Sequence, residues 1–147
     1  TKGSFYWHFK DVPAFQAEMI AFWEKKATSE IISMLDALPS PVLKLRTLSQ
    51  IATEPQDEYG GIGAEPAIRA WAKGDANVEA AVRRVDSARL TQLSMIFTEM
   101  KLTNPDLPRL FYAGLIGLQE IADGDESFSA APLSTLADLM IALSETD

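Results

Sequence analysis

The sequence predicts an all-α protein, and three observations favour this fold class. Apolar residues recur at three- and four-residue spacing along most of the chain, which is the periodicity of an amphipathic helix. Prolines stand near the start of several such segments, where the missing backbone N–H is tolerated because the first helical turn leaves that group unpaired. Long runs that alternate between apolar and polar residues, as half-buried strands do, are missing.

The bulk composition predicts one globular domain. At 147 residues the chain is long enough to bury a sizeable core, and 47% hydrophobic with 23% charged residues is ordinary for a soluble domain. No cysteine is present, which excludes disulfides and thiolate nucleophiles and suits the reducing cytoplasm. No apolar run approaches the roughly 18 residues that span a bilayer, so no membrane partner is expected. The net charge of −8 argues against nonspecific nucleic-acid binding by the body of the chain.

The first third of the chain predicts three helices. Residues 1–10 form a short aromatic helix with Thr1 as its N-cap, and a long helix follows over residues 11–38 with Asp11 as its N-cap. Ser40 and Pro41 open the third helix. The long helix has one broad apolar stripe, which consists of Phe15, Met19, Phe22, Trp23, Ile31, Met34, Leu35 and Leu38.

The middle of the chain predicts a loop, a short helix and a long helix. The loop covers residues 54–64, and the short helix carries Ile68 and Trp71 and stops at Gly74. Asn77 caps the long helix, which ends in the turn at residues 103–106. Its buried face comprises Val78, Val82, Val85, Leu93, Ile96, Phe97 and Met100.

Two more helices complete the prediction, one over residues 107–122 and one from Pro132 onwards. Residues 110–118 are apolar all round, whereas a surface helix has a single apolar stripe, so this helix is expected to be buried on several sides. The last helix has apolar residues at the heptad-like spacing of packed helices.

Few residues offer catalytic or metal chemistry, so we predict no enzyme, no catalytic residue, no metal and no cofactor. The single histidine, His8, lies at the extreme end of the chain. The acidic loop at residues 123–126 lacks the spacing of a calcium loop, and the glycines at residues 60–63 lack the lysine of a phosphate loop. Charge pairs such as Arg83 and Arg84 indicate solvated faces, and Arg89 is placed to form a local ion pair with Asp86.

The aromatic and methionine residues allow two interpretations. They are either plain core or the lining of an adaptable apolar cavity between helices, because buried Trp and Tyr require polar partners and Met fills irregular space. The candidate pocket residues are Met19, Trp23, Trp71, Leu93, Phe97, Phe111 and Tyr112.

The first ten residues are basic and aromatic on an otherwise acidic chain. The ammonium groups of Lys2 and Lys10, the imidazole of His8, the hydroxyl of Tyr6 and the indole N–H of Trp7 are donors suited to phosphate oxygens. The alternative is an amphipathic helix that tucks its two phenylalanines inward, and both can hold together.

Residues 1–11, Thr-Lys-Gly-Ser-Phe-Tyr-Trp-His-Phe-Lys-Asp, resemble the end of the helix-turn-helix of TetR/AcrR-family transcriptional regulators. Residues 66–72 and 82–90 are similar to the regulatory domain of many members. The resemblance implies that residues 1–11 are the remnant of a DNA-binding domain lacking its first two helices. Residues 12–147 would be a ligand-binding and dimerisation domain.

The resemblance also implies roles for single residues. Thr1, Lys2 and Gly3 would start the recognition helix, Tyr6 and His8 would contact the DNA backbone, and Trp7 would approach the DNA. Many members carry a phosphate-gripping lysine where this chain has Val12, followed by Pro13. Because the family's first two helices are absent, Phe5 and Phe9 would lack the packing surface that those helices provide, and we expect this chain by itself to bind operator DNA weakly or not at all, whereas the intact protein would bind it as a dimer.

In the family the last two helices pack against their symmetry mates as a four-helix bundle, which implies a homodimer. The implied interface comprises Leu110, Gly114, Gly117, Leu118, Ile121, Leu133, Leu136, Met140 and Leu143. The resemblance implies a DNA-binding regulator, usually a repressor, controlled by a small apolar ligand. The alternative hypothesis is a helical dimerisation module with no physiological ligand.

Overall fold

The computed structural model describes residues 9–53, 63–122 and 126–145, and for residues 126–129 it describes the backbone alone. Within these ranges the chain forms six continuous helical stretches and no strand. The prediction of an all-α fold is confirmed.

The first helical stretch has three parts. Helix α1 (Val12–Lys25) continues through a π-helical turn (Lys26–Glu30) into α2 (Ile31–Asp36). Asp11 caps α1 as predicted, because its side chain accepts a hydrogen bond from the backbone N–H of Ala14 at 2.8 Å. The helix ends two residues before the predicted end at position 38.

The predicted apolar stripe of this stretch is partly wrong. Met19, Phe22 and Met34 are exposed, whereas Ile20 and Ala27 are buried. Met19 and Phe22 precede the π turn and flank the inward row of Ile20, Trp23 and Ala27, whereas Met34 follows the π turn, which adds a residue and rotates the inward face. A π turn leaves no simple mark in the hydrophobic pattern.

Helices α3 (Pro41–Ile51) and α4 (Ala64–Ala72) follow, and Ser40 caps α3 through the N–H of Leu43. Helix α5 (Ala76–Glu99) is capped by Asp75 and not by Asn77. The Asp75 carboxylate accepts hydrogen bonds from the N–H groups of Asn77 and Val78, so Asn77 lies inside the first turn. A carboxylate at this position also suits the positive end of the helix dipole.

Helix α5 ends at a left-handed residue, because Lys101 has a φ of 64° and the N–H of Leu102 donates to the carbonyl of Phe97. Helices α6 (Leu107–Ala122) and α7 (Glu126–Ser144) complete the fold. Pro132 lies inside α7 and does not start it as predicted. The two alanines before Pro132 are the strongest helix formers and favour continuation of the helix.

Two apolar clusters form the core. The smaller cluster joins α1, α4 and the first half of α5, and consists of Ile20, Trp23, Ala27, Ile68, Val78, Ala81, Val82 and Val85. The larger cluster joins α2, α3, α6 and α7 around the second half of α5, and includes Leu35, Leu45, Leu93, Ile96, Phe97, Phe111 and Leu133. Between them α5 places three polar residues, Asp86, Arg89 and Gln92, towards the interior.

Candidate functional site

A cavity of about 80 Å³ lies where the two clusters meet. The helical stretch of residues 12–36 supplies one wall, and α3, α5 and α6 supply the others. Most of the lining is apolar, and it comprises Ala27, Ile31, Ile32, Leu35, Leu48, Ile51, Ala52, Leu93, Phe111 and Leu115, with Thr28, Glu65, Arg89, Gln92, Tyr112 and Gln119 as polar members. A mostly apolar cavity with a few converging polar groups is the usual form of a small-molecule site.

Three of the polar lining residues, Glu65, Arg89 and Tyr112, form a hydrogen-bonded group with Arg69 and Asp86, and we term these five residues the ion cluster. Glu65 Oε1 accepts from Arg89 Nη1 at 2.7 Å and from Arg69 Nη2 at 2.9 Å, and Oε2 accepts from Arg89 Nη2 at 3.0 Å. Asp86 accepts from Arg69 Nη2 at 2.6 Å and from the Tyr112 hydroxyl at 2.7 Å. The cluster therefore joins α4, α5 and α6.

The ion cluster holds its acidic groups in the charged form. Burial raises the pKa of Glu65, but the charges and hydrogen bonds of Arg89 and Arg69 outweigh it and place that pKa below the usual 4.5. Asp86 has a lowered pKa because the hydrogen bonds from Arg69 and Tyr112 likewise outweigh burial. Burial is also the main reason that the pKa of Tyr112 rises to about 12. At neutral pH the cluster contains two carboxylates, two guanidinium groups and a neutral phenol.

Arg89 connects the ion cluster to the first helical stretch. Its Nε donates to the backbone carbonyl of Ala27 at 3.1 Å, inside the π turn. One helical turn before Ala27, the Glu24 carboxylate accepts hydrogen bonds from Nε and Nη2 of Arg84 at 2.7 and 2.8 Å. Helix α5 thus attaches to the first stretch at the π turn and just before it, and such turns are frequent at functional sites.

The structure brings three of the seven candidate pocket residues together: Leu93, Phe111 and Tyr112 line the cavity. The other four do not line it. Met19 is exposed on the outer side of α1, and Phe97 packs edge to face against Phe111 within the larger cluster. Trp23 and Trp71 belong to the smaller cluster, where the indole N–H of Trp23 meets no acceptor among the described residues.

The predicted local ion pair between Arg89 and Asp86 is wrong. Arg89 binds Glu65 on α4, and Asp86 binds Arg69 on α4 and Tyr112 on α6. The i,i+3 spacing favoured the local pair. Because both side chains face the interior, they instead pair with residues of the helices packed against α5. The available signal was position: Asp86 and Arg89 continue the inward face of Val82 and Val85, where a charge requires a buried partner.

The prediction that Arg83 and Arg84 mark solvated faces has a mixed outcome. Arg83 pairs with Glu79 one turn away on α5 and its side chain is 76% exposed. Arg84 is exposed as well but reaches Glu24 on α1, so it joins two helices.

Most of the residues predicted to bind DNA lie outside the described residues. This applies to Thr1, Lys2, Gly3, Tyr6, Trp7 and His8. Lys10 is exposed immediately before α1. Val12 is 51% exposed in the first turn of α1 beside Pro13.

The residues predicted for a dimer interface divide into two groups. Leu110, Ile121 and Leu143 are exposed, and the exposed Leu139 lies beside Leu143 on α7. By contrast, Leu133 and Met140 are buried within their own chain, and Leu118 and Leu136 are partly buried against the larger cluster.

The two glycines of α6 also differ. A Cβ on Gly114 would lie 2.9 Å from Leu136 Cδ2, so Gly114 permits close packing of α6 on α7 within the chain. A Cβ on Gly117 would meet nothing within 4 Å, which leaves Gly117 on the outward side. We term the outward surface of Leu110, Gly117, Ile121, Leu139 and Leu143 the α6–α7 face.

The described residues form an all-helical fold with a small, mostly apolar cavity whose lining includes the buried pair of Glu65 and Arg89. Comparison of the chain with protein-family models, curated proteins and solved structures found no match. Among the described helices none is both long and apolar enough to cross a membrane. The described residues contain no cluster of three or more His, Cys, Asp or Glu able to hold a metal ion.

Proposed function

We propose that this chain is the sensor and dimerisation part of a TetR-like DNA-binding transcriptional regulator, acting as a repressor in the simplest case. A small, largely apolar ligand in the cavity would control operator affinity. One observation carries the proposal: the helical stretch that directly follows the DNA-binding-like segment at residues 1–11 also forms a wall of the cavity.

The size of the cavity supports a mechanical link. At about 80 Å³ it is smaller than the roughly 150 Å³ cavity known to hold benzene. A ligand of that size or larger must therefore push a wall outward. The first helical stretch contributes Ala27, Thr28, Ile31, Ile32 and Leu35 to the lining, so its displacement would be transmitted towards residue 11.

The energetic requirement is a difference in affinity. A ligand changes operator binding only as far as it binds one separation of the two DNA-reading segments better than the other. The contacts of Arg84 with Glu24 and of Arg89 with Ala27 hold the first stretch against α5. These contacts set part of the free energy that a ligand has to overcome.

A dimer completes the proposal, because helix-turn-helix regulators place two recognition helices on two half-sites. The α6–α7 face offers a second copy an exposed apolar surface, since Leu110 and Ile121 are 60% and 68% exposed. Sedimentation at micromolar concentration tests this part. A dimer is expected, and Ile121→Asp should shift it to monomer, whereas Met19→Asp on the outer side of α1 should not.

DNA binding is tested on the intact reading frame that contains this chain. Genomic fragments are selected on the protein, and affinity for a recovered fragment is measured by fluorescence anisotropy at several salt concentrations. We expect specific binding that weakens with salt and weakens further in a His8→Ala variant, because His8 would contact phosphate. Binding without sequence preference, or no binding, would contradict the proposal.

The competing proposal is a helical dimerisation module whose cavity has no physiological ligand. The exposed α6–α7 face favours it equally, so the dimer test does not separate the two. Operator binding that responds to a cavity ligand separates them, because the module would show neither property.

A further inference from the structure

The polar groups around the cavity determine which chemical class of ligand it accepts, and this step rests on the proposed sensor function. Glu65 and Arg89 are the charged side chains among the described lining residues, and they are paired with each other. Together with Arg69 and Asp86 they form a cluster of two negative and two positive groups. The charged side chains that line the cavity therefore balance each other.

Charged ligands would also have to break existing pairs. Both oxygens of Glu65 are occupied, and its side chain and that of Arg89 are only 11% and 17% exposed. A ligand carboxylate would take Arg89 from Glu65, and a ligand ammonium would take Glu65 from Arg89. Either exchange leaves a buried charge without its partner, which is strongly unfavourable.

Two glutamines provide neutral acceptors at the cavity wall. Gln92 Nε2 donates to Asp36 Oδ1 at 3.4 Å, and Gln119 Nε2 donates to the carbonyl of Ala52 at 3.3 Å. Both partners are acceptors, which fixes the orientation of each amide and leaves its Oε1 atom as an acceptor. In the part of the chain that the structure describes, no donor occupies either Oε1 atom.

We propose that the cavity binds an uncharged small molecule with an apolar body and a hydroxyl or N–H donor, and rejects carboxylates and ammonium ions of the same size. The donor satisfies a glutamine carbonyl oxygen. The apolar body occupies the surface formed by residues such as Ile31, Leu93 and Phe111.

Four probes of one size test the proposal on the whole chain at pH 7: benzyl alcohol, toluene, benzoate and benzylammonium. Dissociation constants come from ligand-observed NMR titration. Benzyl alcohol should bind at least about a hundredfold more tightly than either ion, because of the buried pair that an ion must break. It should bind about fivefold more tightly than toluene, which has no donor.

Each of three contrary outcomes would contradict one part of the proposed ligand class. An ion that binds within about tenfold of benzyl alcohol overturns the charge selectivity. If toluene binds as tightly as benzyl alcohol, the role of the ligand's hydroxyl donor is contradicted. Failure of all four probes overturns the cavity as a site for molecules of this class.

A charge substitution tests the role of the ion cluster directly. Glu65→Gln leaves one uncompensated positive charge at the cavity and should raise benzoate affinity at least about tenfold. The matched control is Glu79→Gln, which removes the exposed partner of Arg83 and should leave all four affinities unchanged. Folded Glu65→Gln that gains no benzoate affinity overturns the assignment, and should it not fold, the wild-type probe series decides alone.

Different experimental results would refute the proposed ligand class and the proposed regulatory function. Selective binding of benzyl alcohol by a protein that does not recognise DNA would refute the regulator and retain the ligand class. Operator binding that responds to a carboxylate ligand in the cavity would retain the regulator and refute the ligand class.

Discussion

Two arginines of helix α5, six residues apart, show opposite uses of the same chemistry. Arg83 pairs with Glu79 on its own helix, and its side chain is 76% exposed. Arg89 is 17% exposed and contacts α4, α6 and the π turn. The difference shows that burial, and not the presence of an opposite charge, decides whether an ion pair determines how helices are arranged.

The largest expected effect comes from removing the buried arginine. Arg89→Met should lower the free energy of unfolding by about 3–5 kcal/mol, because Glu65 loses two of its hydrogen bonds while it remains buried. Urea denaturation measures the change. Arg83→Met is the matched control and should have little effect, since an exposed pair contributes little. Equal effects of the two substitutions would show that the buried and exposed pairs do not differ.

The next effect appears at alkaline pH. The pKa of Tyr112 is raised to about 12 in the folded protein, against about 10 in an unfolded chain. The neutral phenol therefore stabilises the fold fully below pH 10, and this stability, about 2–3 kcal/mol, is lost as the pH rises through 12. Unfolding measured between pH 9 and 12 should show a steeper loss for the wild type than for Tyr112→Phe. Parallel curves would contradict the buried environment of this hydroxyl.

A smaller effect is expected for Tyr112→Phe at neutral pH. The substitution removes the hydroxyl that donates to Asp86 and accepts from Arg69, while the ring keeps its place in the larger cluster. The free energy of unfolding should fall by about 1–2 kcal/mol. Thermal unfolding measures the change, and a stabilised variant would indicate that the cluster is held by its charges alone.

The smallest effect is expected for the exposed pair between helices. Glu24→Gln should change stability little in low salt and not at all in high salt, because mobile ions screen exposed charges. Unfolding at two salt concentrations provides the measurement. A large, salt-independent loss would place the Glu24 and Arg84 pair with the buried cluster instead.

Local signals explain which parts of the fold the sequence could predict. The caps at Asp11 and Ser40 were predicted because a cap depends on residues within one turn. The start of α5 was misplaced because Asp75 and Asn77 are both good caps two residues apart. The prediction that the last helix starts at Pro132 is wrong because the preference of proline for first turns is only statistical.

The candidate site was less predictable because it is built from distant residues. Glu65 and Arg69 on α4 meet Asp86 and Arg89 on α5 and Tyr112 on α6. Sequence spacing indicates that Asp86 and Arg89 face inward, but it does not indicate which residues of other helices they meet. The cavity is the space that the side chains of the surrounding helices leave unfilled, and the periodicity of apolar residues does not specify that space. Of the aromatic candidates, Phe111 and Tyr112 line it, whereas Trp23 and Trp71 fill the smaller cluster.

The cavity has a consequence under hydrostatic pressure. Pressure favours the state of smaller volume, and the volume lost on unfolding scales with the internal space that unfolding removes. The cavity of about 80 Å³ is part of that space, so a molecule bound in it reduces the volume change of unfolding. Binding in the cavity therefore makes the fold less sensitive to pressure, and pressure denaturation reports occupancy independently of any change in DNA affinity.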